Sequence, residues 1–399
     1  MRQGFYRLNR FVWLPLIIAG VLSTPALSAP QVKKEHDPPI PLAWLTADEK
    51  ARFEAGRQLF EFPFTPKEGL GPVFNGRTCE ACHHTPMIGG SGPGYRGNIR
   101  YILPSSRTTQ GVLFHDKSIA RGPAEALPDN AIISKRRPGT LLGLGLIEAI
   151  PEDVLLANAD PDDKDRDGIR GHGAMKDGHL MRFGSQSHVA TLFEFVADAL
   201  HQEMGMTSPV PGFNVETASV DFPMFVKNHI PEPNVSVDVV NKLLDFVSLL
   251  APPERDASMI GENQVIRGEK LFTHIACAKC HVPSFHTSAT PVARASHAPS
   301  MPAALLNKAV RPYSDFLLHD MGATLNDGVS LGIAKPGEYR TPPLWGLRFR
   351  LHQLLHDSRG SSPEQAIVFH GGEAARSRNA FLALPAEDRQ AIIESLKTL

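Results

Sequence analysis

Apolar residues recur at helical spacing in six segments of this chain, and capping residues mark where most of them begin. Leu45–Phe60 (LTADEKARFEAGRQLF) is one, with Thr46 placed as N-cap; Thr191–Met204 (TLFEFVADALHQEM) is another. Val237–Leu250 (VDVVNKLLDFVSLL) is strongly periodic and stops before Pro252-Pro253. Asn263–Phe272 (NQVIRGEKLF), Pro363–Phe369 and Pro385–Leu399 complete the set, the last two with proline early in the helix. No run of strand-like alternation appears, so the chain reads as mainly α. Residues 283–310, rich in Ala, Ser, Pro and His, read as a long surface loop. Two faint echoes cross the chain. G-x-x-L-F recurs as Gly56/Leu59/Phe60 and Gly268/Leu271/Phe272, and Leu141-Leu-Gly143-Leu144 recurs as Leu344-Trp-Gly346-Leu347. A glycine on such a helix usually allows a second helix to pack closely, and the echoes point to a duplicated unit.

The amino terminus follows a different pattern. Arg2, Arg7 and Arg10 precede a short apolar run, Phe11 to Leu22, and small residues follow through Ala26, Ser28 and Ala29. This is the form of a secretory signal peptide over residues 1–28. The run is about 12 residues, short of the roughly 20 that span a bilayer, so no membrane span is expected after cleavage. The chain then belongs outside the cytoplasm, in a periplasm. Its 399 residues carry a formal charge of −1, and loss of three arginines with the signal leaves −4. There is no basic block, which argues against a nucleic-acid binder. With 42% hydrophobic and 21% charged residues, wholesale disorder is excluded.

Export would ordinarily turn cysteines into disulfides. The four cysteines here fall instead as Cys79-Glu-Ala-Cys82-His83 and Cys277-Ala-Lys-Cys280-His281. Both are C-x-x-C-H, the attachment pattern of c-type haem. Two thiols separated by two residues meet the two vinyl groups of one porphyrin edge, and the adjacent histidine ligates iron from the proximal side. A zinc site or a thioredoxin-like pair would not explain a histidine after both. The expected cofactors are therefore two covalently bound haem c groups. The expected architecture is two cytochrome c-like haem domains with long loop insertions: residues 29–250 around the first motif and 251–399 around the second.

Beyond these motifs, several stretches resemble the bacterial di-haem oxidoreductases of the peroxidase and thiol oxidoreductase kind, distant relatives of di-haem cytochrome c peroxidase and of MauG. They are FNGRTCEACHHTPMIGG (74–90), LGLGLIEAIPEDVLLANADPDDKDRDGI (142–169), EMGMTSP (203–209), YSDFLLHDMG (313–322), RTPPLWGL (340–347) and EQAIVFHGGEA (364–374). The resemblance implies a reactive, high-spin N-terminal haem with His83 as proximal ligand. It also implies a six-coordinate C-terminal haem that relays electrons, with His281 as proximal ligand. The distal ligand of the relay haem would be His370, which follows an E-x-A-hydrophobic helix; Met321 and His319 are the rivals. Glu203, in His201-Gln-Glu203-Met204-Gly205, falls where the peroxidases keep an acid–base glutamate. Glu148, in the apolar LGLGLIEAI, is a second candidate: a carboxylate there should be paired, or raised in pKa. Where relatives carry F-G-W-K, this chain has Phe183-Gly184-Ser185-Gln186, so the tryptophan expected between the haems is missing, and Trp345 could serve instead. Phe195 stands where the peroxidases have a distal glutamine, which makes that pocket more apolar.

Asp163-Lys-Asp165-Arg-Asp167-Gly168 opens like an EF-hand loop, although the twelfth position is Ala174. Calcium is expected there, with the Ile169 carbonyl and Asp160 or Asp177 completing the shell. The remaining histidines without a motif (His84, His172, His188, His229, His286) read as surface or hydrogen-bonded residues. The function that fits is a periplasmic di-haem oxidoreductase, peroxidase-like. Its partners would be an oxidant such as hydrogen peroxide and a small electron-donor protein, a cytochrome or a copper protein. The alternatives are an electron-transfer cytochrome without catalysis, and MauG-like or oxygenase chemistry on a protein or apolar substrate.

Overall fold

Thr46 and Thr191 each close a capping box at the start of a long helix. In the first, Thr46 Oγ1 accepts from Glu49 N at 3.2 Å while Thr46 N donates to Glu49 Oε2 at 2.9 Å. Two of the orphan donors at a helix start are thereby satisfied at once. In the computed structural model, which describes Met1 and residues 36–92, 98–103, 105–119, 124, 126–214, 231–295 and 297–399, nine α-helices are present among those residues. They are α1 (Ala47–Phe60), α2 (Leu144–Glu148), α3 (Glu152–Leu156), α4 (Leu192–Met204), α5 (Val237–Leu249), α6 (Asn263–His274), α7 (Pro363–Val368), α8 (Ala375–Ala383) and α9 (Ala386–Lys397). Helix, 3-10 turns included, accounts for 31% of the described residues. The strands are two to four residues long and lie in five small sheets. Ladders this short show no alternation to read. The expected signal peptide and His229 lie outside the described residues. No helix among the described residues is long and apolar enough to cross a membrane.

Residues His36–Leu399 are organised around two helix crossings, each with a glycine at its waist. A Cβ on Gly56 of α1 would lie 2.1 Å from the Lys242 carbonyl oxygen and 2.7 Å from Phe246 Cβ on α5. A Cβ on Gly268 of α6 would lie 2.1 Å from the Ala391 carbonyl oxygen and 2.8 Å from Ser395 Cβ on α9. Only glycine lets the backbones approach so closely. The first crossing buries Phe53 and Phe60 against Phe246, with ring centres 5.0 and 4.7 Å apart. The second buries Phe272, Ile392, Ile393 and Leu396 in a separate core. The other echo is also structural. Gly143 and Gly346 both take left-handed backbone (φ 77° and 72°) at the start of a short helical turn. A Cβ on Gly143 would meet the Trp345 ring at 2.6 Å, so the two echoed segments touch.

The stretch 283–310 does not behave as a surface loop. Phe285, Met301, Ala304, Leu305 and Val310 are buried in the first core. Trp44 Nε1 donates to the Ala304 carbonyl at 2.6 Å, tying this stretch to the start of α1. Its Ala, Ser and Pro content disguises a few well-spaced apolar anchors. The first core therefore draws on residues from both sides of position 250.

Candidate haem sites

Each C-x-x-C-H motif forms one tight turn at the end of a crossing helix, the second close behind α6 and the first returning to α1 after residues 61–78. Behind α1, Cys79 N donates to Phe60 O at 3.1 Å and His83 N donates to Cys79 O at 3.1 Å. Behind α6, Cys277–Lys279 is a single 3-10 turn and His281 N donates to Cys277 O at 3.0 Å. No disulfide involves these cysteines. Burial pushes the thiols of Cys79 and Cys277 up to about 12 and that of Cys82 up to about 11. Phe60 sits 6.5 Å from the His83 ring at 53°, and Phe272 sits 6.1 Å from the His281 ring at 52°. The G-x-x-L-F echo thus delivers one phenylalanine to each histidine.

Both histidines are oriented through Nδ1. His83 Nδ1 lies 3.1 Å from Gly90 O, and His281 Nδ1 lies 3.0 Å from Tyr313 O. A carbonyl can only accept, so Nδ1–H donates and Nε2 keeps a free lone pair. Burial lowers both imidazoles to about 4, which keeps them neutral. His370, just beyond α7, points the same way: its Nδ1 donates to Ala366 O at 2.7 Å, and burial lowers its pKa. The His281 and His370 rings stand 6.5 Å apart, centre to centre. Two imidazoles sharing one metal through bonds of about 2 Å hold their centres on the order of 6 Å apart. Thiol pairs on single turns and neutral, oriented imidazoles form a donor set that fits c-type haem. Among the described residues, no second imidazole ring faces His83.

His319, a rival for the relay ligand, is spoken for at both nitrogens. Nε2 lies 2.8 Å from Asp315 Oδ2 and Nδ1 lies 2.7 Å from Glu373 Oε2. Burial alone would lower its pKa, but hydrogen bonds to Asp315, Cys280 and Glu373 outweigh that and hold it well above 6.5. It is an imidazolium clamped between carboxylates, 3.6 Å from Cys280 Sγ. Met321 packs through its carbonyl on Gly371, beside His370.

Near the first motif, Glu203 closes the end of α4. Asn75 Nδ2 donates to Glu203 Oε2 at 3.0 Å and to Phe114 O at 3.1 Å, while Asn75 N donates to Glu203 O at 2.8 Å. Asn75 therefore holds both the backbone and the carboxyl of Glu203. Burial raises the Glu203 pKa; the Asn75 hydrogen bond and the charges of Arg100 and His115 oppose this without cancelling it. The same carboxylate is the foremost charge acting on Cys82. Asn75 was not singled out in the sequence. Its only signal was a place in FNGRTC, four residues before Cys79.

Glu148 has a different setting. Its Oε2 pairs with Arg294 Nη2 at 2.6 Å, and its Oε1 accepts from Leu192 N at 2.8 Å. Both charged side chains are buried, 3% and 5% exposed. The carboxylate is thus the paired one that its apolar surroundings require, and it anchors the first turn of α4. Trp345 is buried with no partner for its Nε1. It lines a narrow cleft with Thr85, Pro86 and Ser91 from behind the first motif and Phe349 and Arg350 from the second half. Phe195 packs on Phe183 and His188, ring centres 6.0 and 6.5 Å away. Among the other histidines, His84 stacks on His36 at 3.9 Å and contacts Glu80 O at 2.9 Å. His172 lies 3.5 Å from Glu338 and His188 3.5 Å from Asp198.

Asp163, Asp165 and Asp167 do converge, their carboxylate oxygens lying within 4.8 Å of one another. A cation already stands against them: Lys279 Nζ lies 2.8 Å from Asp165 and 3.1 Å from Asp167. Lys279 is the third residue of the second C-x-x-C-H. Arg376 Nη1 donates to Asp167 O at 2.8 Å, and Arg170 N donates to Glu373 at 2.8 Å. The acidic loop is thereby bolted to the second motif. Asp160 turns inward to accept from Lys164 N at 2.7 Å, and Asp177 sits at the tip of the 174–181 hairpin, outside the cluster.

The family described as "Di-haem oxidoreductase, putative peroxidase" matches residues 116–399, which include the second motif and begin after the first. No curated protein matches the chain. Among solved structures, hydrazine synthase of Kuenenia stuttgartiensis, pressurised with 20 bar xenon, is 14% identical with a TM-score of 0.37, over 94% of this chain and 99% of that one. A MauG-like protein associated with microbial copper homeostasis is 13% identical with a TM-score of 0.36, over 92% of this chain and 94% of that one.

Proposed function

Since this chain belongs to the di-haem oxidoreductase family and is an oxidoreductase, we propose that it is a periplasmic, peroxidase-like enzyme with two covalent haem c groups, one for the oxidant at His83 and one for electron relay at His281. Two cytochrome c-like units, 29–250 and 251–399, would carry them. When bound, haem supplies an iron that exchanges single electrons and, where one face is open, a place for an oxidant. The observation that carries the reading is the asymmetry between the two histidines. His281 faces a second neutral imidazole, His370, at 6.5 Å, whereas among the described residues no second imidazole faces His83 and the foremost charge acting on its turn is the Glu203 carboxylate.

The remaining roles fall to side chains. Hydrogen peroxide must lose a proton from one oxygen and gain one at the other as the O–O bond breaks. Glu203 can do both, because Asn75 fixes one carboxyl oxygen and leaves the other for proton exchange. Its raised pKa keeps it closer to the working pH than an ordinary glutamate. Glu148, committed to Arg294 and to the α4 terminus, serves structure. Trp345 occupies the cleft between the halves and is our candidate for the missing inter-haem tryptophan. Electrons would come from a small cytochrome or copper protein. Calcium at Asp163, Asp165 and Asp167 would have to displace Lys279.

Mixing the purified holoprotein with hydrogen peroxide tests the reading. A fast change confined to a high-spin ferric component is expected. Two low-spin haems inert to peroxide in every redox state would instead make the chain an electron-transfer cytochrome.

A further inference from the structure

Among the described residues, Arg100 is a deeply buried arginine whose guanidinium finds no acceptor. It lies on the strand Ile99–Ile102, paired with Leu113 on one side and Ser134 on the other. All three face inward, at 8%, 1% and 0% exposure. Its Nε is buried without a partner, and among the described residues its guanidinium makes no hydrogen bond. The other deeply buried arginines each find at least one acceptor; Arg294 and Arg350 also leave nitrogens unpartnered but engage Nη2, with Glu148 at 2.6 Å and with Pro343 O at 2.8 Å. Arg136 donates to Ser134, Gln186 and Val329 O; Arg182 donates to three carbonyls; Arg340 donates to Gly184 O and Thr341 O. A buried guanidinium without an acceptor is costly, and such a group persists where an anion completes it.

The location says which anion. The charges that act most on Arg100 are the carboxylates of Glu203 and Asp198, with Arg136 opposing them. The Arg100 strand reaches Glu203 through Phe114, whose N donates to Ile99 O at 2.8 Å and whose carbonyl accepts at 3.1 Å from Asn75, the residue that holds the Glu203 carboxyl. The planar fork of Arg100 suits a carboxylate bidentately, which an ammonium would not. We infer that Arg100 is a carboxylate-binding residue of the His83 site, taking either a propionate of the haem held there or the carboxylate of a small anionic ligand. The inference rests on His83 being the reactive-haem ligand.

The test uses the full holoprotein, with Arg100→Gln and Arg100→Lys beside the parent. The midpoint potential of the high-spin haem is titrated, and formate is titrated into the ferric protein. If a propionate is the ligand, Arg100→Gln lowers the potential, Arg100→Lys lowers it less, and formate changes nothing in any of the three. If a free carboxylate is the ligand, formate perturbs the parent spectrum, its Kd rises at least tenfold in Arg100→Gln, and the potential holds. An Arg100→Gln protein with parental potential and parental formate response overturns the inference. Should that variant not fold, parental values for both quantities in Arg100→Lys overturn it. Peptide mass spectrometry reads haem attachment at Cys79 and Cys82 separately, so failure of the haem reading is distinguishable.

Discussion

The two C-x-x-C-H turns share their local contacts and differ in what lies across from the histidine. Each follows a helix waisted by glycine, each places a phenylalanine about 6 Å from its imidazole, and each fixes Nδ1 on a backbone carbonyl. Beyond that, the second turn has His370 opposite and a clamped imidazolium, His319, against its cysteine. The first has Glu203 held by Asn75, whose Nδ2 also donates to Phe114 O beside the Arg100 strand. One motif, supplied with different far-side residues, yields a candidate relay and a candidate reaction centre. On the proposed reading the motif would hold the cofactor, and residues far away in sequence would assign its role.

Glu203→Gln should have the largest effect, slowing the peroxide reaction by about 10²–10⁴-fold with haem retained. In the parent the rate should rise with pH as the Glu203 carboxyl ionises, at a pH above its ordinary 4.5. Because the Asn75 hydrogen bond lowers that pKa, Asn75→Ala should move the inflection upward; unchanged kinetics in both variants would remove the contrast between the two turns. Glu148→Gln should instead act on stability, costing about 3–5 kcal/mol by leaving Arg294 buried and unpaired. Denaturant unfolding measures it, and a kinetic defect without a stability loss would return Glu148 to the reaction. Gly56→Ala and Gly268→Ala should each cost about 1–3 kcal/mol, since a Cβ meets backbone 2.1 Å away. Similar losses are expected if the two crossings are equivalent. Lys279→Met should leave stability almost unchanged, as the pair with Asp165 is half exposed and screened by solvent. Calorimetry should then show tighter calcium binding than in the parent, and equal affinity would deny that Lys279 and calcium share the loop.

Much of this was legible in the sequence where the signal is local. Thr46 and Thr191 marked helix starts because capping boxes span three residues. Gly56 and Gly268 marked close crossings because the surrounding G-x-x-L-F repeats. Cys79, Cys82, His83, Cys277, Cys280 and His281 stood out by spacing, and His370 only through the family resemblance; the structure sets its ring 6.5 Å from that of His281. What stayed hidden depends on contacts across long loops: Asn75 with Glu203, separated by 128 positions, or Arg170 with Glu373, separated by 203. Glu148 was foreseeable as a paired carboxylate, but Arg294 lies in a stretch whose composition looked solvated. The acidic loop was read correctly as a convergence of carboxylates. That the second motif's own Lys279 would reach across to it is a tertiary fact with no local trace.

The central claim is that the two turns differ in their distal side, and His370→Ala tests it most directly. The absorption and electron paramagnetic resonance spectra of the ferric holoprotein should show one high-spin and one low-spin haem, and the variant should show both haems high-spin. A low-spin signal that survives unchanged in His370→Ala would contradict the account and return the ligand role to Met321.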